Sequence, residues 1–319
     1  MLTALLFLAI GLALLYFGGE GLVRGASGLA LRLGLTPLAV GLTVVAFGTS
    51  MPELTVSLNA ALAGEGDVSM GNVVGSNIAN IGLILGLTAL VMPITTHLQL
   101  LKFDLPILVA VTLAVVLTVL DGSLGRIEGA VLFTSLVLYT GVVLRLARKE
   151  SVAIQAEYAA DLSEDQSPPV TRIPVQVALI AVGLVMLVVG GKLFVAGAVD
   201  LARGLAVPEA VIGLTIVAVG TSLPELSASL VAAARGHSDI AVGNVVGSNL
   251  FNLLNILGLT ALVRPFEFPG IGGVDYAVMI AFAVILFPLL WTGSRLTRFE
   301  GVVLLAGYGG YIAWLAANA

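Results

Sequence analysis

The stretch GTSMPEL, residues 48–54, lies inside an apolar run long enough to cross a membrane, yet it carries two hydroxyls, a proline and a glutamate. The pattern returns as GTSLPEL at 220–226, an offset of 220 − 48 = 172 residues. At the same offset, GNVVGSNI at 71–78 returns as GNVVGSNL at 243–250. A repeat that keeps its register along the chain indicates two copies of one ancestral unit.

The composition is that of an integral membrane protein. Hydrophobic residues make up 59% of the chain and charged residues 10%, and the mean hydropathy is +1.11. Apolar runs of roughly 18 to 25 residues fit helices that cross about 30 Å of hydrocarbon, and not the alternating strands of a barrel. Because the chain lacks Cys, disulfides and thiolate metal sites are excluded. A nucleotide-binding loop and an H-E-x-x-H motif are also missing from the sequence, which disfavours an enzyme or an ATP-driven pump.

Each unit is predicted to contain five membrane spans. The predicted spans are 3–31, 36–63, 67–92, 104–120, 127–147, 174–202, 208–235, 239–263, 275–292 and 299–317. Because five is odd, the two units must insert with opposite orientations, which predicts an all-α polytopic fold of ten transmembrane helices in two inverted repeats.

The predicted domain order is a first repeat at 1–147, a solvated cytoplasmic linker at 148–172 and a second repeat at 173–319. Lys and Arg are concentrated in the segments that are cytoplasmic if the N-terminus is outside. The positive-inside rule therefore predicts that orientation.

The second span of each unit is expected to break. Pro52 removes a backbone hydrogen bond and clashes with the preceding turn, so the helix should stop and restart there, near the middle of the membrane. Ser50 and Glu53 have the S-x-x-E spacing of a capping box, and so do Ser222 and Glu225. This spacing predicts that each serine caps the restarted helix and that each glutamate lies in its first turn.

A cap alone does not explain Glu53 and Glu225. A carboxylate near the bilayer centre costs on the order of 3 kcal/mol, whereas a helix cap contributes only about 1 kcal/mol. The two glutamates therefore predict a buried cation site, with broken helices as its scaffold.

The next span of each unit adds neutral oxygen donors. Asn72, Ser76 and Asn80 recur every four residues and share one helical face, as do their counterparts Asn244, Ser248 and Asn252. The glycines of the same spans form G-x-x-x-G patterns that favour close helix packing. We expect the glycines to pack and the amides and hydroxyls to face the glutamates. Such an all-oxygen set suits Na⁺ or Ca²⁺ rather than zinc or copper.

These doubled motifs resemble the two α-repeats of the calcium:cation antiporters, most closely the compact prokaryotic sodium/calcium exchangers. The resemblance covers essentially the whole chain. It implies Na⁺/Ca²⁺ exchange by alternating access, with the first helix of each unit sliding past the rest, and four neighbouring ion sites at the midplane. It also implies a monomer in the cell membrane that uses no cofactor and catalyses no reaction, with Na⁺ and Ca²⁺ as transported substrates.

The resemblance also implies the ligands. The central ones are the side chains of Glu53, Glu225, Asn80 and Asn252 with the carbonyls of Thr49 and Thr221. One flanking sodium site would use Ser50, Ser76 and the Ala46 carbonyl, and the other Ser222, Ser248 and the Ala218 carbonyl.

One position departs from the family pattern. A related exchanger has Asp at the position of Asn252, facing an Asn at the position of Asn80, whereas here both are Asn. The loss of one potential charge leaves open a proton- or potassium-coupled antiporter of the same fold. A passive cation channel is a further alternative, because buried glutamates also line selectivity filters. The inverted repeat with broken helices favours alternating access.

Glu20 and Lys192 occupy equivalent positions, since 20 + 172 = 192. Two hypotheses account for them. The side chains pair across the symmetry axis and steady the sliding helices, or each extends separately toward the membrane surface.

Overall fold

The computed structural model describes residues 1–96, 98–147, 172–205 and 218–318. In the first unit, the helices in chain order are α1 Leu2–Leu33, α2 Pro37–Thr49, α3 Met51–Ala63, α4 Gly66–Val91, α5 Leu100–Thr118 and α6 Arg126–Ala147. In the second unit they are α7 Ile173–Gly204, α8 Leu223–Ala234, α9 Ser238–Val263, α10 Gly273–Trp291 and α11 Arg298–Asn318. A helical turn, Ala218–Gly220, precedes α8. Most of the predicted linker and the first part of the predicted span 208–235 lie outside the described residues.

The predicted break in the second span is present. Helices α2 and α3 meet at an angle of 46°, and the residue between them, Ser50, has a non-helical ψ of 9°. Pro52 occupies the start of α3, where its missing N–H costs no helical hydrogen bond. Ser222 has the same geometry before α8, with ψ of 7°. Both units therefore contain a helix that restarts in the apolar interior.

The first helices of the two units, α1 and α7, pack against each other through glycine. A Cβ placed on Gly11 would lie 2.9 Å from the carbonyl oxygen of Gly190, and one on Gly18 would lie 2.9 Å from that of Gly183. In these contacts the residue number on α1 increases while the residue number of its partner on α7 decreases, so the two equivalent helices are antiparallel. Since 11 + 172 = 183 and 18 + 172 = 190, the repeat exchanges these two contacts. This is the pseudo-two-fold symmetry of an inverted repeat.

Two short ribbons link the units. Strand β1, Ile94–Thr95, pairs antiparallel with β4, Arg295–Leu296, and β2, Ser123–Leu124, pairs with β3, Phe266–Glu267. The repeat exchanges the ribbons as well, because 94 + 172 = 266 and 123 + 172 = 295. One ribbon joins the loops that follow α4 and α10, and the other joins the loops that follow α5 and α9. Each end of the bundle thus has one of these two ribbons.

The centre of the bundle is formed by α4 and α9. In their most apolar windows, 78% and 89% of the residues are buried inside the protein, against 28% for α1 and for α7. Both central helices widen into a π-helical turn, at Asn80–Leu85 in α4 and at Asn252–Ile256 in α9. Such turns are frequent at functional sites.

Glu20 does not pair with Lys192. Packed positions on α1 and α7 have numbers that sum to 201, as 11 + 190 and 18 + 183 do, so Glu20 is level with Ala181. Eleven residues separate Ala181 from Lys192, or about 16 Å along a helix. Glu20 instead accepts hydrogen bonds from Arg24 and from Arg235, the residue after α8. The hypothesis of a pair across the axis is wrong.

The glycine contact between α1 and α7 can be tested by adding one methyl group. Gly18→Ala is expected to lower stability by about 1 to 3 kcal/mol, because its Cβ would press on the backbone of Gly183. Gly21→Ala is the matched control, because its Cβ would lie at an ordinary 3.5 Å from the Leu179 carbonyl oxygen. Thermal unfolding of the purified variants in detergent measures the difference, and equal melting temperatures would contradict this account of the interface.

Candidate cation site

The two glutamates are buried and bound reciprocally by serines of the opposite unit. Glu53 and Glu225 lie in the first turns of α3 and α8, and each is 1% exposed. The Ser50 hydroxyl donates to Glu225 Oε1 at 3.0 Å, and the Ser222 hydroxyl donates to Glu53 Oε1 at 3.2 Å. Because the repeat exchanges these two bonds, both carboxylates lie about the pseudo-two-fold axis.

The predicted capping box is present in the position of the serines but not in their hydrogen bonds. Ser50 and Ser222 do occupy the N-cap positions of α3 and α8, but neither side chain makes a capping hydrogen bond to its own helix. A hydrogen bond to a charged group is about twice as strong as one to a neutral group, so a buried carboxylate competes well for the hydroxyl. The expected local bond is therefore wrong, and a bond between the units replaces it.

Asparagines of the central helices support the backbone of the glutamates. Asn72 Nδ2 donates to the backbone carbonyl of Glu53 at 3.1 Å and to Ser57 Oγ at 2.9 Å. Asn244 makes the equivalent bonds, at 3.3 Å to the carbonyl of Glu225 and at 3.0 Å to the serine at 57 + 172 = 229. In the described part of the chain, the amide groups of these two asparagines thus bind the backbone of the broken helices and a serine one turn later.

Ser57 and Ser229 were missed by the sequence analysis. Each is buried and connects its helix to the next, because Ser57 donates to the Ser69 carbonyl at 3.3 Å and Ser229 donates to the Ala241 carbonyl at 3.5 Å. The sequence does contain a pattern that could have identified both serines. They follow the glutamates by four residues, a spacing that places them on the same helical face.

The predicted carbonyl donors all lie at the helix breaks. Thr49 is the last residue of α2, and the Ala46 carbonyl, one turn earlier, accepts the N–H of Ser50 at 3.1 Å. In the second unit, Thr221 stands between the helical turn and α8, and Ala218 begins that turn. A carbonyl oxygen has two lone pairs, so the Ala46 carbonyl can accept this bond and still bind a ligand.

Asn80 and Asn252 begin the π-helical turns and are each 1% exposed. The segment Asn80–Leu85 packs against α8, and Asn252–Ile256 packs against α3. Each asparagine is therefore on a segment that contacts the broken helix of the opposite unit. Asn80 Nδ2 also donates to Asn249 Oδ1 at 3.1 Å, a contact that no local sequence pattern signals.

Five buried side-chain oxygens of the site have no hydrogen-bond partner among the described residues. They are Glu53 Oε2, Glu225 Oε2, Asn80 Oδ1, Asn252 Oδ1 and Ser248 Oγ. Ser76 is 5% exposed and lies one turn before Asn80 on the same helix. Buried polar groups are nearly always paired, and buried carboxylates require a compensating positive charge. The orphaned oxygens therefore fit a bound cation.

The chemistry of the donors indicates which cation. They are carboxylate, amide, hydroxyl and carbonyl oxygens, and the described part of the chain contains no cluster of three or more His, Asp and Glu side chains. Hard cations such as Na⁺ and Ca²⁺ prefer this oxygen set, whereas zinc and copper prefer nitrogen and sulfur.

Comparison with known proteins agrees with this geometry. A family profile described as sodium/calcium exchanger protein matches residues 3–145 and 175–317. The chain belongs to the sodium/calcium exchanger family. The match falls on both units, which confirms the family and the inverted-repeat fold expected from the motifs. The chain is thus a multi-pass membrane protein of a transporter family.

Relatives match along nearly the full length. The sodium/calcium exchanger MaX1 of Methanosarcina acetivorans is 34% identical, with 97% of each chain covered. The inner membrane protein YrbG of Escherichia coli strain K12 is 38% identical, over 99% of this chain and 97% of that protein. A structure of the sodium-calcium exchanger NCX_Mj, soaked with Na⁺ and Sr²⁺, has a TM-score of 0.83 at 32% identity over 98% of both chains.

The supporting asparagines provide a test of the site. Asn244→Ala removes the bonds to α8 and leaves the Thr49 hydroxyl, which donates to Asn244 Oδ1 at 3.1 Å, without that partner. We expect Asn72→Ala and Asn244→Ala to weaken cation binding by roughly tenfold, the effect of about 1.4 kcal/mol. The control is Asn77→Ala, since Asn77 donates to a carbonyl of its own helix, that of Val73, at 2.7 Å.

Ca²⁺ titration of the purified variants measures these affinities. Asn77→Ala is expected to lower stability and leave affinity unchanged. If all three variants bind Ca²⁺ equally, the supporting role assigned to Asn72 and Asn244 is refuted.

Proposed function

We propose that the protein is a secondary antiporter that exchanges Na⁺ for Ca²⁺ by alternating access. The observation that carries this proposal is the pair of buried carboxylates, each bound by a serine of the opposite unit and each with an unpaired oxygen. Membership of the family supports it, as do the relatives named as sodium/calcium exchangers.

We assign the ligands as follows. Glu53 and Glu225 are the shared central ligands, and Asn80, Asn252 and the carbonyls of Thr49 and Thr221 complete the centre. One flanking Na⁺ site uses Ser50, Ser76 and the Ala46 carbonyl, and the other uses Ser222, Ser248 and the Ala218 carbonyl. The support is that the described side chains among them are buried or partly buried and lie at the helix breaks and on the central helices.

Charge explains the coupling. The two glutamates carry a charge of about −2, which one Ca²⁺ or two or more Na⁺ can neutralise. Ions that share Glu53 and Glu225 exclude one another, so Na⁺ and Ca²⁺ compete. Enclosing two carboxylates away from water without a compensating positive charge is costly, so the empty site resists the occluded state through which alternating access must pass. A transporter that changes state only when ions occupy its site exchanges one ion for the other and does not let ions leak across the membrane.

The proposed topology places the N-terminus outside and the 148–172 linker in the cytoplasm, with the repeats at 1–147 and 173–319. The distribution of Lys and Arg supports this orientation. We further propose that the protein works as a monomer in the cell membrane. Na⁺ and Ca²⁺ are its substrates, and the mechanism requires no organic cofactor.

The decisive experiment is Ca²⁺ uptake into proteoliposomes. Vesicles loaded with Na⁺ are diluted into Na⁺-free buffer, and entry of radioactive Ca²⁺ is followed. The wild-type protein is expected to accumulate Ca²⁺ only while the Na⁺ gradient lasts. Glu53→Gln and Glu225→Gln are each expected to abolish uptake, because each removes half of the charge that holds the ions.

Glu267→Gln is the control, since Glu267 is an exposed residue of strand β3, away from the helix breaks. Uptake that needs a proton or K⁺ gradient in place of the Na⁺ gradient would overturn the choice of driving ion. Flux of Ca²⁺ without any counter-ion would instead indicate a channel.

The departure at Asn252 gives a separate prediction. Asn252→Asp adds a third carboxylate to the site and is expected to raise the apparent Ca²⁺ affinity by roughly tenfold, since affinity rises with ligand charge. Asn80→Asp is the symmetry-matched variant and should act in the same direction. Ca²⁺ titration at fixed Na⁺ concentration measures the change. A Ca²⁺ affinity that stays constant in both variants would place these asparagines outside the ligand shell.

A further inference from the structure

Lys192 lies within the depth of the hydrocarbon. Positions that pack together on α1 and α7 have numbers that sum to 201 and equivalent positions differ by 172, so the symmetry axis crosses α7 between residues 186 and 187. Lys192 is five to six residues beyond that level, which is about 8 Å along the helix. A charge at this depth is costly and is by default a candidate for a functional role.

A cavity connects Lys192 to the helix breaks. It has a volume of about 480 Å³ and is lined by residues that include Met51, Pro52, Thr55, Lys192, Thr221 and Pro224. Lys192 is the only charged residue among the described lining residues. Pro52 directly precedes Glu53, and Thr221 directly precedes Ser222. Part of the cavity wall is therefore formed by the same two breaks that hold the carboxylates, and the rest includes residues of α7.

The two units differ at this position. Glu20, the equivalent of Lys192, binds the guanidinium groups of Arg24 and Arg235, so its charge is compensated. Lys192 is exposed and forms no ion pair among the described residues. An uncompensated positive charge thus lies on one side of the site, along the half of α7 that ends at Gly204.

We propose that Lys192 is a specificity-determining residue that disfavours Ca²⁺ relative to Na⁺ at the site. This proposal rests on the proposed exchange function and names the cavity as a path by which cations reach Glu53 and Glu225. Lys192 does not ligate the ions and acts by electrostatic repulsion across the cavity. On the proposed topology the cavity is on the extracellular side, so Lys192 promotes release of Ca²⁺ there.

The repulsion has a quantitative signature. Its energy is proportional to the charge of the ion, so a factor f in the affinity for each Na⁺ becomes f² for Ca²⁺. We take f to be about three, the factor that corresponds to about 0.7 kcal/mol. Removing the charge should therefore strengthen Na⁺ binding about threefold per ion and Ca²⁺ binding about tenfold.

The test compares Lys192→Met, which removes the charge and shortens the unbranched side chain by one atom, with Lys192→Arg, which keeps the charge. Equilibrium binding of radioactive Ca²⁺, and its competition by Na⁺, are measured on the purified proteins at constant ionic strength set with a large organic cation. In Lys192→Met, the gain in Ca²⁺ affinity is expected to be the square of the gain in affinity for each Na⁺. Lys192→Arg is expected to match the wild type.

Three results would overturn the proposal. If Lys192→Met changed the affinities for Na⁺ and Ca²⁺ by the same factor, the side chain would act through packing. Unchanged affinities in Lys192→Met would mean that the ammonium extends to the lipid headgroups and away from the ions. A change in Lys192→Arg as large as that in Lys192→Met would exclude charge as the cause. Na⁺/Ca²⁺ exchange by the wild-type protein in liposomes is measured separately, so failure of the proposed function is distinguishable from failure of this inference.

Discussion

The reciprocal bonds between the serines and glutamates of opposite units are the constraint on which the arrangement depends. Ser50 binds Glu225 and Ser222 binds Glu53, so neither carboxylate is held by its own unit alone. To bring these four side chains together, both helices must break at the same depth and face each other across the axis. The prolines produce the breaks, and the antiparallel glycine contacts of α1 and α7 follow the same symmetry.

Much of the architecture follows from one feature of the sequence, its 172-residue repeat. The repeat, an odd number of spans and a proline in the second span of each unit together predict inverted units with broken helices, and the structure has them. The orphaned oxygens of Asn80, Asn252 and Ser248 agree with the placement of these residues around a cation, although their roles as ligands stay a prediction. The linker lies mostly outside the described residues, so its predicted solvation also stays a prediction.

The errors have a common physical cause. A local rule assigned the Ser50 hydroxyl to a cap on its own helix, but a buried carboxylate of the other unit is the stronger acceptor. Symmetry suggested a partner for Glu20, but the register of α1 against α7 places Lys192 about 16 Å away along the axis. Contacts between distant segments depend on packing register, which the pattern within one segment does not encode. Ser57 and Ser229 differ, since their spacing from the glutamates was visible in the sequence.

The glycine faces of α1 and α7 determine how easily these helices can move against each other. Most helix pairs interlock through side-chain ridges that must be lifted out of grooves before one helix can shift along the other. At Gly11, Gly18, Gly183 and Gly190 the backbones meet directly, and no side chain projects from these positions into the opposite helix. The glycines therefore bring the axes of two long helices closer together than side chains at these positions would allow. Any axial displacement of α1 against α7 would take place along a contact made largely by backbone atoms at these four positions.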